Sequence, residues 1–165
     1  MPLDGQQLRQ VMRRWATGIT VVTTRADGQP HGITVNSFTS LSLEPTLCLI
    51  CIDKRARTHA AIRSAGGFVV NLLATGQEDL SQRFSGRRPD LVEPFLGLAL
   101  TEAPSGAPVF ADVLGFLDCS LHAEVEGGDH TIFVGRVEHA AADATDRLPL
   151  VFFGGRYRTL GAVPE

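Results

Sequence analysis

Two β-branched runs, "GITVVTT" and "HGITVNS", flank the segment "ADGQP", whose Asp27-Gly28 pair favours a two-residue hairpin turn. A hairpin this early ties the first two strands antiparallel and leaves no room for a helical crossover between them. The chain therefore begins its sheet as a β-meander and not as a βαβ unit. Further along, Leu117, Cys119, Leu121, Ala123 and Val125 alternate strictly with Asp118, Ser120, His122, Glu124 and Glu126, the pattern of a half-exposed strand. "TLCLICI", "GGFVVNLLA", "TIFVGRVEHAA" and "PLVFFGGRYRTL" supply further strands. About seven short strands with few helices predict a mainly β fold, an antiparallel sheet closed into a barrel.

Helical signals are brief. Leu8, Val11, Met12 and Trp15 recur at helical spacing and predict an amphipathic helix over residues 4–15. "KRARTHAAIRSA" reads as a second helix with a basic first turn, and "QEDLSQRFSG" as a short third. Residues 86–110, rich in Gly and Pro, read as a long irregular connection, a lid or a wrap around a neighbouring molecule.

At 165 residues, 44% apolar and 20% charged, the chain is expected to form one domain over residues 1–165. Its net charge of −3 comes from scattered residues, which argues against a nucleic-acid partner. No apolar run approaches the roughly 20 residues of a membrane span, and the N-terminal stretch lacks a signal-peptide core, so the expected location is the cytoplasm. Cys48 and Cys51 form a C-x-x-C, yet three steps along a strand place them on opposite faces, out of disulfide or chelating reach. The five histidines show no zinc-ligand spacing, so no metal is expected. Neither a Rossmann glycine fingerprint nor a P-loop is present.

Chemistry concentrates in two neighbouring stretches. From Thr34 to Ser42, six of nine side chains are hydroxyls or amides, and the apolar parity changes within the run. A change of face implies a bulge or bend around Asn36 to Ser40. The freed backbone groups, with Asn36, Ser37, Thr39 and Ser40, would form a wall of neutral donors and acceptors suited to a flat heterocycle. A turn satisfying its own backbone would use the same residue types. Lys54, Arg55, Arg57 and Thr58 stand where a strand gives way to a helix, whose N-terminal N–H groups favour phosphate. A solvated helix start is the plainer alternative.

These segments, together with "WATGITVVTT", "LSQRFSG" and "GDHTIFVGRV", resemble the short-chain flavin reductases of two-component flavin-dependent monooxygenases, built on the FMN-binding split barrel. The N-S-F-T-S-x-S and G-D-H-x-I-F-x-G-x-V motifs are the specific ones, and the likeness covers nearly the whole chain. The resemblance implies a split β-barrel and an NAD(P)H:flavin oxidoreductase that reduces FMN or FAD for a separate monooxygenase. It also implies a homodimer with the flavin near the interface, to which residues 86–110 are a candidate contributor. By the same resemblance Asn36, Ser37, Thr39 and Ser40, with Val35 and Phe38, border the isoalloxazine and ribityl chain. Cys51, Ile52 and Asp53 run along the flavin, Lys54, Arg57 and Thr58 take its phosphate, and Asn71 and Phe84 are neighbours. Ala56 stands where family members often carry Ser, which shifts the phosphate contact toward the basic side chains. His130 is expected beside the nicotinamide, holding its amide or stabilising developing charge, with Tyr157 flanking the same pocket; a histidine that closes the Gly-Gly-Asp turn is the alternative. NADH and NADPH are both open as hydride donor. An FMN-dependent oxidase of the pyridoxamine-phosphate type would need a second phosphate-binding cluster, and a non-catalytic flavin binder is a further alternative.

Overall fold

Helix α1 (Gly5–Met12) opens on a capping box, in which Gln7 N–H donates to Asp4 Oδ1 at 2.7 Å and Asp4 N–H donates to Gln7 Oε1 at 3.1 Å. A computed structural model describes residues 3–88 and 90–161. After α1 come β1 (Thr17–Gly18), β2 (Thr20–Ala26), β3 (Gln29–Val35), β4 (Phe38–Leu43) and β5 (Thr46–Asp53). Helix α2 (Arg57–Ala65), β6 (Gly67–Leu72) and α3 (Glu78–Arg83) follow. The chain closes with β7 (Leu100–Glu102), β8 (Pro108–Phe110), β9 (Gly115–Gly127), β10 (His130–Ala142), β11 (Val151–Phe153) and β12 (Arg156–Arg158).

The expected hairpin is present. Ala26 pairs with Gln29, and Asp27 and Gly28 both take positive φ, 50° and 74°, as a type I′ turn requires. The main sheet is antiparallel, in the order β3-β2-β6-β9-β10-β5-β4. Laid flat, seven strands would hold their edges about 29 Å apart. The two edge strands are joined by Asn36 and Ser37 alone, a link that spans at most about 11 Å between Val35 and Phe38. The sheet must roll until its edges meet at that link. No ladder joins β3 to β4 among the described residues, so the roll is a barrel split along one seam.

Curvature is visible in the core, where Val22, Val35, Ile50, Ile52, Phe68, Val70, Cys119 and Phe133 gather with Ile62 of α2 in one buried cluster. Strand β2 is buried on both faces: Val22 points into that cluster, and Val21 into a second one with Ile19, Leu73, Phe84, Phe110 and Leu150. What covers the outer face is the long segment 86–110. It carries the β7–β8 hairpin and packs on its own barrel, with Phe95 edge-on to Phe84 and Arg25 Nε–H donating to Gly106 O at 2.8 Å. The wholly irregular connection expected from Gly and Pro content thus contains a ladder, and it wraps its own domain.

Two strand expectations are also corrected. Asp118, expected on the exposed face of β9, is buried, because its Oδ2 accepts the Ser105 N–H at 2.9 Å from the covering hairpin. The change of face falls in two places: the ladder breaks at Asn36-Ser37, and the bulge proper is at Leu41, where the register slips between Ser40 and Ser42. Cys48 and Cys51 do face opposite ways; Cys48 is buried with its Sγ 3.6 Å from Cys119 Sγ, whereas Cys51 is half-buried on the other side.

Candidate active site

The seam is where the interior opens. A cleft of about 440 Å³ lies against it, walled by Trp15, Thr17, Gly18, Phe38 and Thr39, with Asn36 at its side and Leu72, Leu73 and Leu114 as an apolar floor. An apolar slot rimmed by a carboxamide and hydroxyls suits a flat heterocycle with a polar edge. A smaller recess of about 190 Å³ also starts at Asn36 and is lined by Thr34, Ser81, Ser85, Arg87, Phe152 and Tyr157.

Many of the hydroxyls are committed to the fold before any ligand arrives. Ser37 Oγ–H donates to Cys51 O at 2.9 Å and accepts the Cys51 N–H at 3.3 Å, clamping the start of β4 to the end of β5. Thr34 Oγ1–H donates to Ser81 O at 2.6 Å, and Thr39 Oγ1–H to Ser40 O at 3.2 Å. Asn36, Thr39 and Ser40 are exposed, and Ser37 and Phe38 half-exposed, as a binding edge needs. Some polar groups of this stretch close the seam, and others face outward beside the cleft.

Five of the expected flavin neighbours turn their side chains inward. Val35 and Ile52 belong to the barrel core, and Phe84 to the outer core beside Gly32, where a Cβ would come within 2.7 Å of its ring. Asn71 is fully buried: its Nδ2–H₂ donates to Val21 O at 3.0 Å and Thr23 Oγ1 at 3.1 Å, and its Oδ1 accepts the Phe110 N–H at 3.1 Å. Thr58 is buried and spends its hydroxyl on Gly32 O at 3.1 Å. These side chains hold the framework that carries the cleft.

At the β5–α2 junction the basic side chains differ from one another. Lys54 is paired with Glu126. Arg55 is engaged with Asp53, Nη2 to Oδ2 at 2.7 Å, and the Asp53 carboxyl is held well below the usual carboxylate range by its hydrogen bonds from Arg55. Arg57 is exposed and takes part in none of the ion pairs among the described residues. Helix α2 has Ala56 at its N-cap with no side-chain cap; His59 N–H bonds back to Ala56 O at 3.0 Å, and the Arg57 and Thr58 N–H groups are left to a ligand or solvent. Burial raises the Cys51 thiol pKa.

His130 stands at the same end of β5, register-paired with Asp53, and its neighbour Asp129 accepts the Lys54 N–H at 3.0 Å. Its Nδ1 lies 2.7 Å from Asp129 Oδ1, and this contact holds the Asp129 carboxyl below its ordinary range. With Nδ1–H donating to Asp129, Nε2 is the nitrogen left for a ligand. Tyr157 is placed elsewhere, in the small recess, where its Oη–H donates to Ser81 Oγ at 2.9 Å and its ring meets Phe152 edge-on. His130 is not among the residues lining that recess or the cleft.

A model of the flavin reductase like domain matches residues 12–161. The chain belongs to the flavin reductase-like family. Among relatives of this flavin reductase-like chain, the reductase subunit HsaB of a flavin-dependent monooxygenase from Rhodococcus jostii (strain RHA1) is 41% identical over 155 residues, 94% of this chain and 77% of that protein. The NADH-dependent FAD reductase of Streptomyces globisporus is 42% identical over 160 residues, covering 95% and 86%. The solved structure of the Streptomyces globisporus C-1027 NADH:FAD oxidoreductase SgcE6 superimposes with a TM-score of 0.90 at 40% identity, over 98% of this chain and 96% of that one.

Residue-level reasoning on the sequence missed Trp15, Thr17 and Gly18, although they sit in a segment that carries the family likeness. It also missed Arg87 and Phe152. Nothing local marks these residues, because they reach the seam from three separate parts of the chain.

Proposed function

We propose that this flavin reductase takes hydride from NADH or NADPH onto FMN or FAD and releases the reduced flavin to a separate flavin-dependent monooxygenase. The cleft at the seam carries the reading, since it joins an apolar floor to the exposed carboxamide of Asn36 and needs no Rossmann turn. Bound flavin would supply the electrophilic ring nitrogen that accepts hydride, and the protein supplies orientation and a dry pocket. Asn36, Phe38, Thr39 and Ser40 border the heterocycle, Ser37 fixes the strand that presents them, and Cys51 and Asp53 continue the wall. Arg57, Lys54 and the uncapped first turn of α2 receive the flavin phosphate. His130 presents Nε2 to the nicotinamide side, and Tyr157 shapes the recess next to Asn36.

A homodimer is the working unit in this reading. Support comes from α1, none of whose residues is buried: Val11 and Met12 are 66% and 52% exposed on its apolar side, and Trp15, just beyond the helix, is exposed as well. No helix among the described residues is long and apolar enough to cross a membrane, and we place the enzyme in the cytoplasm.

The test is oxidation of NADH and NADPH by flavin-stripped protein, with and without added FMN, FAD or riboflavin. Turnover that requires added flavin and saturates with it is expected. Absence of turnover with every flavin and both nucleotides would overturn the reading.

A further inference from the structure

A third recess, of about 320 Å³, shares Trp15 and Asn36 with the cleft and extends away from it. Three guanidinium side chains line it, Arg9 and Arg13 from α1 and its C-cap and Arg87 from the segment after α3. Trp15 and Phe152 supply aromatic surface, and no carboxylate is among the lining residues. The ion pairs among the described residues include none of these three arginines. Their mounts are fixed: Arg13 O accepts the Gly154 N–H at 2.9 Å, the Arg13 Nε lies 3.9 Å from where a Cβ on Gly155 would stand, and Arg87 N–H donates to Ser85 Oγ at 3.3 Å.

Three like charges around one concave surface repel each other, and an anion resolves the conflict. Guanidinium forks match phosphate oxygens in pairs, and the adjoining aromatic rings suit a purine. The proposed function gives the flavin phosphate to the start of α2, which leaves this second cluster to a second phosphorylated ligand; a pyridoxamine-phosphate-type oxidase would use the same cluster, and flavin-dependent NADH oxidation separates the two. We propose that this recess holds the phosphates of the hydride-donating dinucleotide, beside the cleft with which it shares Trp15 and Asn36. The assignment rests on the flavin reductase reading and adds the donor's anchoring site to it.

Trp15 is the single tryptophan of the chain, so its fluorescence reports on the recess directly. Titration of flavin-free protein with ADP should quench Trp15 saturably, and Arg13→Gln and Arg87→Gln should each weaken that binding about tenfold, the loss of one charge-assisted hydrogen bond. In turnover the same variants should raise the KM for NADH about tenfold and leave the KM for FMN in place. The loss should be confined to phosphate-bearing donors, so 1-benzyl-1,4-dihydronicotinamide should lose less than twofold in kcat/KM. An unchanged NADH KM in both variants, or no quenching of Trp15 by ADP, would overturn the proposal. So would a rise in the KM for FAD alone, which would give the recess to the adenylate half of the flavin. Wild-type protein without flavin-dependent NADH oxidation would instead sink the reductase reading, while the ADP titration would still judge the recess.

Discussion

Two groups of basic residues flank the seam, and they differ in what already neutralises them. At the β5–α2 junction, Lys54 and Arg55 are contiguous in sequence, and each has a carboxylate partner, Glu126 and Asp53; only Arg57 is left over. At the third recess Arg9 and Arg13, from α1 and its C-cap, meet Arg87 from a distant segment, and none of the three has a carboxylate partner among the described residues. A run of basic residues in a sequence is therefore a poor measure of the positive charge offered to a ligand. The conspicuous cluster is largely spent on its own fold, and the inconspicuous one is not.

Reversing a charge should separate the two groups most sharply. Arg87→Glu turns an attractive phosphate contact repulsive and should raise the KM for NADH about a hundredfold with little change for FMN, read from steady-state kinetics. Arg57→Ala should do the converse, raising the KM for FMN about tenfold while riboflavin, which has no phosphate, is used as before. Equal losses for FMN and riboflavin would remove the phosphate role from Arg57. Glu126→Gln releases Lys54 from an exposed, solvent-screened pair, and should lower the KM for FMN about twofold.

The smallest effect is expected from the Asp53–Arg55 pair and is best seen in its pH dependence. The folded state depresses the Asp53 pKa, so the stability it contributes is complete above the unfolded value of about 3.9 and is lost as pH falls below it. Thermal unfolding of wild type and Asp53→Asn should differ by a constant amount from neutral pH down to about pH 5, and draw together progressively as the pH falls from about 4 toward the depressed folded value. Divergence on acidification would show that the pair does not work in this way.

How far the sequence could be followed tracks how local each determinant is. The Asp27-Gly28 turn is decided by two residues and their φ preferences, and it formed as expected. The opposite facing of Cys48 and Cys51 follows from strand periodicity alone. Helix α1 was legible as amphipathic but runs only from Gly5 to Met12, and its apolar side remains uncovered within one copy of the chain. Asp118 defied its alternation because the covering hairpin offers it the Ser105 N–H, a partner 13 residues away that no pattern on β9 announces. Thr58 sat beside basic residues and was assigned with them, yet the roll of the sheet brings Gly32 O within reach of its hydroxyl first. Within the site, Asn36 could be picked out by its place in a polar run. Trp15 and Arg13 could not, nor could Arg87, since only the closed sheet brings Arg87 and Asn36 beside the first two.

The two-residue link between β3 and β4 has a consequence for how such an enzyme can diversify. Asn36 is at once the joint that lets the sheet close and a wall of all three recesses. Changes there alter architecture and recognition together, which leaves little freedom to adjust either alone. Arg13, Arg87 and Tyr157 stand on separate segments that can vary without disturbing the closure. New preferences for one nucleotide over another should therefore arise on those outlying walls, while the joint stays as it is.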